Sequence, residues 1–434
     1  MGKPGTIQDL FIRNRKKIAL KLDSNTLAII CANNLQLRNG DQFYPFRQNS
    51  DFYYLTGIEQ EACVLLIFPA HPKKEYREVL FVTRQTPKEV IYEGGKLGPK
   101  DAIISLGIEK VLYIDQFDQV FKDLLYFAKS VYIPQNEYPS VKVPEQDPNI
   151  AFAKKLKEEY PALELKRLEP ILSSFRLKKD PEELEMMQHA CDITEKAFHR
   201  VLGFVKPGVM EYQIEAEITH EFLKNRIKSH AYTPIIASGE NACTLHYRKN
   251  EMECESGKLL LMDFGAEYKN YAADCTRTIP VNGRFSPRQR GVYEAVLRIF
   301  KASVSFMVPG TTIAEIDMKV AKLVESELIE LGLFIKDDLQ NQNPEFPAYK
   351  EYLPHGIAHF VGLDVHDVGN KYVVLEEGMV LSCEPALYIR EEGLGIRIEN
   401  NIVVATVPID LMESIPIEVD EIESLMSRKV LHID

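Results

Sequence analysis

Asp263 and Asp274 stand eleven residues apart in LMDFGAEYKNYAADCTRT, each beside apolar residues. A carboxylate in such a setting needs a partner, because losing its hydration is costly unless pairing or metal coordination compensates. With a hairpin tip at Tyr268 and Lys269, Asp263 falls opposite Asp274, and like charges opposed across a ladder are destabilising. Taken alone, the pair also fits an aspartate capping a turn in a different register. Two further acids strengthen the metal reading: Glu384 in GMVLSCEPALYI and Glu399 in GLGIRIENNIVV, segments that read as another apolar strand pair. Between the acidic pairs, PHGIAHFVGLDVHDVG crowds His355, His359 and His366 into twelve residues. Four carboxylates gathered in one interior cannot all ionise without compensation, and two divalent cations supply it. Oxygen ligands with one imidazole suit manganese, cobalt or zinc. Two such ions about 3.5–4 Å apart lower the pKa of a shared water and polarise a carbonyl, which is the chemistry of hydrolysis.

The elements that must carry these groups follow a repeated order. In RLKKDPEELEMMQHACDITEKAFHRVLGFVKPG, Asp180 stands at a helix N-cap with Pro181 in the first turn, and apolar positions at helical spacing run to Pro207 and Gly208. VKPGVMEYQIEAEITHEFL then aligns with MVPGTTIAEIDMKVAKLVE at an offset of 102 residues, each following one helix and opening another before strands. Upstream, ACVLLIFPA, REVLFVTR, KVLYID and SVYIPQ read as short strands separated by polar or helical stretches. The expected fold class is α/β (α+β), with a smaller N-terminal α/β domain over residues 1–175 and a duplicated domain over residues 176–434. The spacer KDDLQNQNPEFPAYKEYL, residues 336–353, reads as a surface excursion ahead of the histidines.

Composition narrows the function. A chain of 434 residues, 45% hydrophobic, can bury a large core, and 52 Lys+Arg against 64 Asp+Glu leave a net charge of -12. With no basic stripe to meet a phosphate backbone, no nucleic-acid partner is expected. No segment approaches the roughly 20 apolar residues of a membrane span, and MGKPGTIQDLFIRNRKK lacks a secretory signal's apolar centre, so a cytoplasmic location without a membrane partner is expected. Seven scattered cysteines without a CxxC pair point to reduced thiols rather than disulfides or a zinc knuckle.

In their order, TLHYRKNE, MDFGAEYKNYAADCTRT, HGIAHFVGLDVHDVG, SCEPALYI and GIRIENNIVV resemble the pita-bread metallopeptidases, and within them the Xaa-Pro aminopeptidase (aminopeptidase P) group. YPFRQNSDFYYLTGIEQEACVLLIF, residues 44–68, resembles that group's N-terminal domain. The resemblance implies a duplicated pita-bread catalytic domain and two divalent ions, manganese first, with cobalt or zinc as alternatives. It places metal ligands at Asp263, Asp274, His359, Glu384 and Glu399, with Asp274 and Glu399 bridging both ions. It implies peptide substrates with proline at the second position.

Around the ligands, Glu384 is expected to move the proton of the attacking water, and His246 to face substrate. His355 and His366 match histidines that contact substrate or the tetrahedral centre, with support of the ligands as the alternative. Arg397, two residues before Glu399 on one strand face, is expected to steady a ligand carboxylate or to pair with a neighbouring acid. The family's tryptophan from a neighbouring subunit has no counterpart here, since the chain has none, and Tyr92 stands in the approximate place. A homo-oligomer, dimer or tetramer, is expected. A prolidase restricted to Xaa-Pro dipeptides, a metal-free creatinase-like hydrolase and a catalytically dead peptide-binding module are the alternatives. Intact ligands argue against the last two.

Overall fold

Thr26–Cys31, buried at every position, forms β1 inside a six-stranded sheet. A strand covered on both faces has no polar side to show, which is why its sequence, TLAIIC, does not alternate. An exposed hairpin of β2 (Leu37–Asn39) and β3 (Gln42–Phe43) follows. The sheet is completed by β4 (Val64–Ile67), β5 (Glu78–Val82), β6 (Lys110–Tyr113), β7 (Ser130–Ile133) and β8 (Glu164–Arg167), in the order β6-β5-β4-β1-β7-β8. The four strands expected from sequence are β4 to β7; β1 and β8 are additional. Helices α1 (Ile7–Lys21), α2 (Ser50–Thr56), α3 (Pro87–Glu93), α4 (Pro99–Leu106), α5 (Phe117–Leu125), α6 (Pro148–Glu159) and α7 (Glu169–Arg176) accompany the sheet, with Leu27, Ile29, Phe81, Phe117 and Phe121 in one apolar cluster. Tyr92, on α3, is 78% exposed.

The computed structural model describes residues 5–135, 147–335, 337, 342–343 and 346–427, and the chain divides into two units, Met1–Arg176 and Leu177–Asp434. Residues 336, 338–341 and 344–345 of the expected spacer lie outside the described residues. Among the described residues no helix is long and apolar enough to cross a membrane.

The second unit is built twice over. Its first half runs α8 (Pro181–Phe204), α9 (Glu211–Lys224), β9 (Ile235–Ser238), β10 (Leu259–Asp263), β11 (Glu267–Tyr268), β12 (Tyr271–Ala272) and β13 (Thr276–Pro280). The second half runs α10 (Pro287–Phe306), α11 (Ile313–Glu330), β14 (Val380–Cys383), β15 (Ala386–Ile389), β16 (Leu394–Arg397), β17 (Asn400–Val403) and β18 (Ile409–Asp410), with a last helix at Val419–Ser427. α8 starts where the sequence places it: Asp180 is the N-cap, Pro181 opens the first turn, and Glu183 closes a capping box. Between the helices of each pair a Pro-Gly turn puts Gly208 at φ 92° and Gly310 at φ 90°, the left-handed conformation that only glycine adopts cheaply. These matched turns are the backbone counterpart of the 102-residue sequence offset.

Two expectations of register are corrected. The hairpin turns at Lys269 and Asn270, both at positive φ, rather than at Tyr268 and Lys269. The pairing therefore moves by two positions, so that Asp263 faces Thr276 and not Asp274. A shift of two preserves the face on which a side chain points, so Asp274 stays on the side of Asp263 without opposing it directly. The second acidic pair does not lie on one continuous ladder either: β14 pairs with β17 and β15 with β16, with breaks at Glu384–Pro385 and Ile398–Glu399.

Candidate active site

All four carboxylates sit at the end of a strand or in a break between two. Asp263 ends β10, Asp274 lies between β12 and β13, Glu384 between β14 and β15, and Glu399 between β16 and β17. Gly265 lets the first hairpin close, since a Cβ there would fall 1.8 Å from the carbonyl oxygen of Ala273. Asn401 holds Asp274 by its backbone, accepting its N–H at 3.0 Å and donating to its carbonyl at 3.1 Å. The two halves meet at Thr276 and Glu399, where the Glu399 N–H donates to the Thr276 carbonyl at 3.1 Å. Beneath them the fully buried Arg277 donates to the carbonyls of Thr276 and Glu399 at 3.0 and 2.8 Å and to Asn400 Oδ1 at 2.7 Å.

His359 faces this acidic centre with Nε2, 3.3 Å from Asp274 Oδ2 and 3.6 Å from Glu384 Oε1. Its Nδ1 lies 3.1 Å from the Phe360 carbonyl and donates there, so Nε2 is the nitrogen turned to the acids. Asp274, His359 and Glu399 each bring one ligand atom within 4.8 Å of the others. Glu399 and Asp274 form the floor, with side chains 2% and 6% exposed, while His359 and Glu384, at 22% and 20%, border the open side.

The electrostatics favour a bound cation. Burial, followed by the charges of Asp274 and Glu384, pushes Glu399 well above the usual carboxylate range. Burial likewise raises Asp263, against the pull of Arg397. Glu384 is pushed up to about 7 by burial, against the pull of His359 and Arg397. Burial also opposes ionisation of Asp274 and of His359, yet their mutual contact outweighs it, holding Asp274 low and His359 up at about 9. The protein's own cations thus leave part of the acidic charge uncompensated, and a divalent ion held by these oxygens and Nε2 would supply the balance. No thiolate competes, since burial pushes the adjacent Cys275 up to about 12.

Arg397 turns chiefly to Asp263, donating from Nη2 to Oδ2 at 2.5 Å, and stands 4.0 Å from Glu399. It reaches Glu399 through Thr276, whose hydroxyl accepts from Arg397 Nε at 2.9 Å and donates to Glu399 Oε2 at 2.6 Å. Arg397 Nη1 also donates to the Tyr388 hydroxyl at 2.7 Å, and that hydroxyl lies 3.0 Å from His355 Nε2. The other ring nitrogen of His355 lies 2.6 Å from the Gly356 carbonyl. Nδ1 is therefore the donor and Nε2 accepts from Tyr388. Burial and then Arg397 lower this imidazole to about 4, so it stays neutral. Both its nitrogens are engaged by the protein.

His366 packs its ring 4.4 Å from that of His359, at 72°. His246 sits exposed on the loop after β9, close enough to act electrostatically on His355 and His366, though less than burial does. Sequence reasoning missed Tyr232, whose hydroxyl donates to Asp263 Oδ1 at 2.5 Å, as well as Thr276 and Asn401. Thr276 was within reach, being two residues after Asp274 and so on its face; Tyr232 carries no such mark.

Residues 185–406 match metallopeptidase family M24, and residues 11–132 match the aminopeptidase P N-terminal domain. The chain is 36% identical over 432 residues to the Xaa-Pro aminopeptidase of Escherichia coli (strain K12), covering 96% of this chain and 97% of the relative. Aminopeptidase P from E. coli with the inhibitor Pro-Leu superposes with a TM-score of 0.87 at 35% identity, covering 98% of this chain and 99% of that one. The Zn-substituted E. coli enzyme in complex with product gives 0.89 at 34%, covering 99% and 100%. With its paired halves, its buried acids and these similarities over nearly its whole length, the chain belongs to metallopeptidase family M24.

Proposed function

We propose that the chain is an Xaa-Pro aminopeptidase, releasing the N-terminal residue ahead of a proline, with two divalent ions held by Asp263, Asp274, His359, Glu384 and Glu399. The observation that carries this reading is the convergence of Asp274, His359 and Glu399 from both halves, with ligand atoms within 4.8 Å of one another. The Xaa-Pro relative and the Pro-Leu complex of the E. coli enzyme support the substrate class. Oxygen-rich donors favour manganese, with cobalt and zinc as substitutes.

When bound, the ions supply Lewis acidity, polarising the scissile carbonyl and lowering the pKa of water. The remaining work falls to side chains. Glu384, at the open side, takes the proton of the attacking water and returns it to the proline nitrogen. His246 and His366 border substrate, and hydrogen bonding from His366 stabilises the developing oxyanion. His355, with both nitrogens engaged, keeps Tyr388 and Arg397 in place rather than touching substrate.

Ala-Pro-Ala, Ala-Pro and Ala-Ala-Ala test the reading together. Alanine release from Ala-Pro-Ala, with little from Ala-Ala-Ala, is expected. Cleavage of Ala-Pro alone would make the chain a prolidase, and equal cleavage of Ala-Ala-Ala would remove the proline requirement. Chelation is expected to abolish hydrolysis and manganese or cobalt to restore it; full activity in protein shown to be metal-free would defeat the metal assignment.

A further inference from the structure

Glu211, the first residue of α9, is fully buried and stands apart from the acids that ring the candidate metal site. Its carboxylate takes four hydrogen bonds. Oε1 accepts from the N–H of Ser238 at 2.7 Å and from Asn241 Nδ2 at 3.1 Å. Oε2 accepts from the Tyr247 hydroxyl at 2.8 Å and from the N–H of Met252 at 3.0 Å. All four donors come from residues 238–252, and they flank His246 on both sides. A buried carboxylate needs its lone pairs filled, so the shape of this stretch and the place of Glu211 depend on each other.

One turn along the same helix, Glu215 Oε2 accepts from Asn250 Nδ2 at 2.8 Å, and Asn250 Oδ1 accepts the N–H of Ile236 at 3.0 Å. His246 makes no hydrogen bond among the described residues and is exposed, whereas Tyr247 beside it is 9% exposed. Its position is therefore set by its neighbours. The second half repeats the device: Asp317, 102 residues after Glu215, accepts the N–H of Ile357 at 3.2 Å, two residues beyond His355.

We propose that Glu211 is a positioning residue, which holds residues 238–252 so that His246 stands against the substrate; this rests on the function proposed for the site. In Glu211→Gln, whichever way the amide is turned, its NH2 group meets two donors and two of the four bonds are lost. The variant should keep its metal content, lose about 10- to 100-fold in kcat on Ala-Pro-Ala, and show faster hydrogen exchange over residues 238–252. In a His246→Ala background the same substitution should cost less than about 2-fold, because the side chain it positions is gone.

Equal fold losses in both backgrounds would show that Glu211 serves stability alone and would overturn the proposal, as would unchanged exchange. Should Glu211→Gln fail to fold, Tyr247→Phe removes one donor beside His246 and carries the same cycle, with a several-fold loss expected only where His246 is present and equal losses overturning it. A wild-type protein that cleaves no Xaa-Pro peptide would defeat the functional reading instead. The exchange comparison then decides the placement by itself, faster exchange supporting it and unchanged exchange overturning it.

Discussion

Thr276 in the first half of the catalytic unit donates its hydroxyl to Glu399 in the second at 2.6 Å, while accepting from Arg397 Nε at 2.9 Å. Thr276→Val keeps the shape and removes both bonds, leaving a buried acid and a buried cation each short of a partner. Metal affinity should fall by about 10- to 100-fold, measured by titration, while Thr276→Ser retains it. Wild-type affinity in the valine variant would show that the hydroxyl does not orient Glu399.

Asp274→Asn should separate from His246→Ala. The asparagine variant loses a charge at the centre of the acidic group and should bind little metal. The alanine variant should keep its metal and lose turnover, because His246 has no hydrogen bond to the acids among the described residues. Equal metal loss in the two, by elemental analysis, would mean that His246 has been misplaced.

Lys179 and Asp367 form an ion pair at 2.9 Å with both side chains 1% exposed. Removing one partner strands the other charge in the interior, so Asp367→Asn should cost about 3–5 kcal/mol in urea unfolding. Lys179→Met combined with Asp367→Asn should recover part of that loss, since no unpaired charge remains. A double variant as unstable as the sum of the singles would exclude charge burial as the cause.

Glu183 predicts a pH dependence of stability. Burial raises its carboxyl from 4.5 to about 7, despite donors from the Asp180 N–H and the Tyr271 hydroxyl, each at 2.8 Å. The folded protein therefore holds this proton more tightly than the unfolded chain. The associated stability is fully present below pH 4.5 and is lost as pH rises through about 7. The loss is at most about 3 kcal/mol by the size of the shift. Glu183→Gln can still accept from Asp180 and donate to the Tyr271 oxygen. Its melting temperature relative to wild type should climb across that window; a constant difference would refute the assignment.

What the sequence discloses depends on how local each signal is. The start of α8 is legible because Asp180, Pro181 and Glu183 lie within four residues and act on one helix end. The four acids are legible because charge inside apolar runs needs a partner, whereas the crowding of three histidines does not say which one faces them, and only the family resemblance points to His359. The contact of Arg397 with Asp263 spans 134 positions, so its place on the strand could say that it meets an acid of the group but not which one. The hairpin register failed over one residue: Lys269 and Asn270 take the positive φ angles of the turn, a choice decided by backbone geometry rather than by hydrophobic pattern.

The bond between Thr276 and Glu399 joins residues 123 positions apart. Closing so long a loop must follow, not precede, the folding of each half, and long-range closures are slow. Until then each half holds its own two acids, an incomplete grip on any cation. Metal supplied to the unfolded chain should therefore leave the refolding rate unchanged and slow unfolding instead, acting as a lock on the finished molecule. Faster refolding with metal present would place the ion at the nucleus.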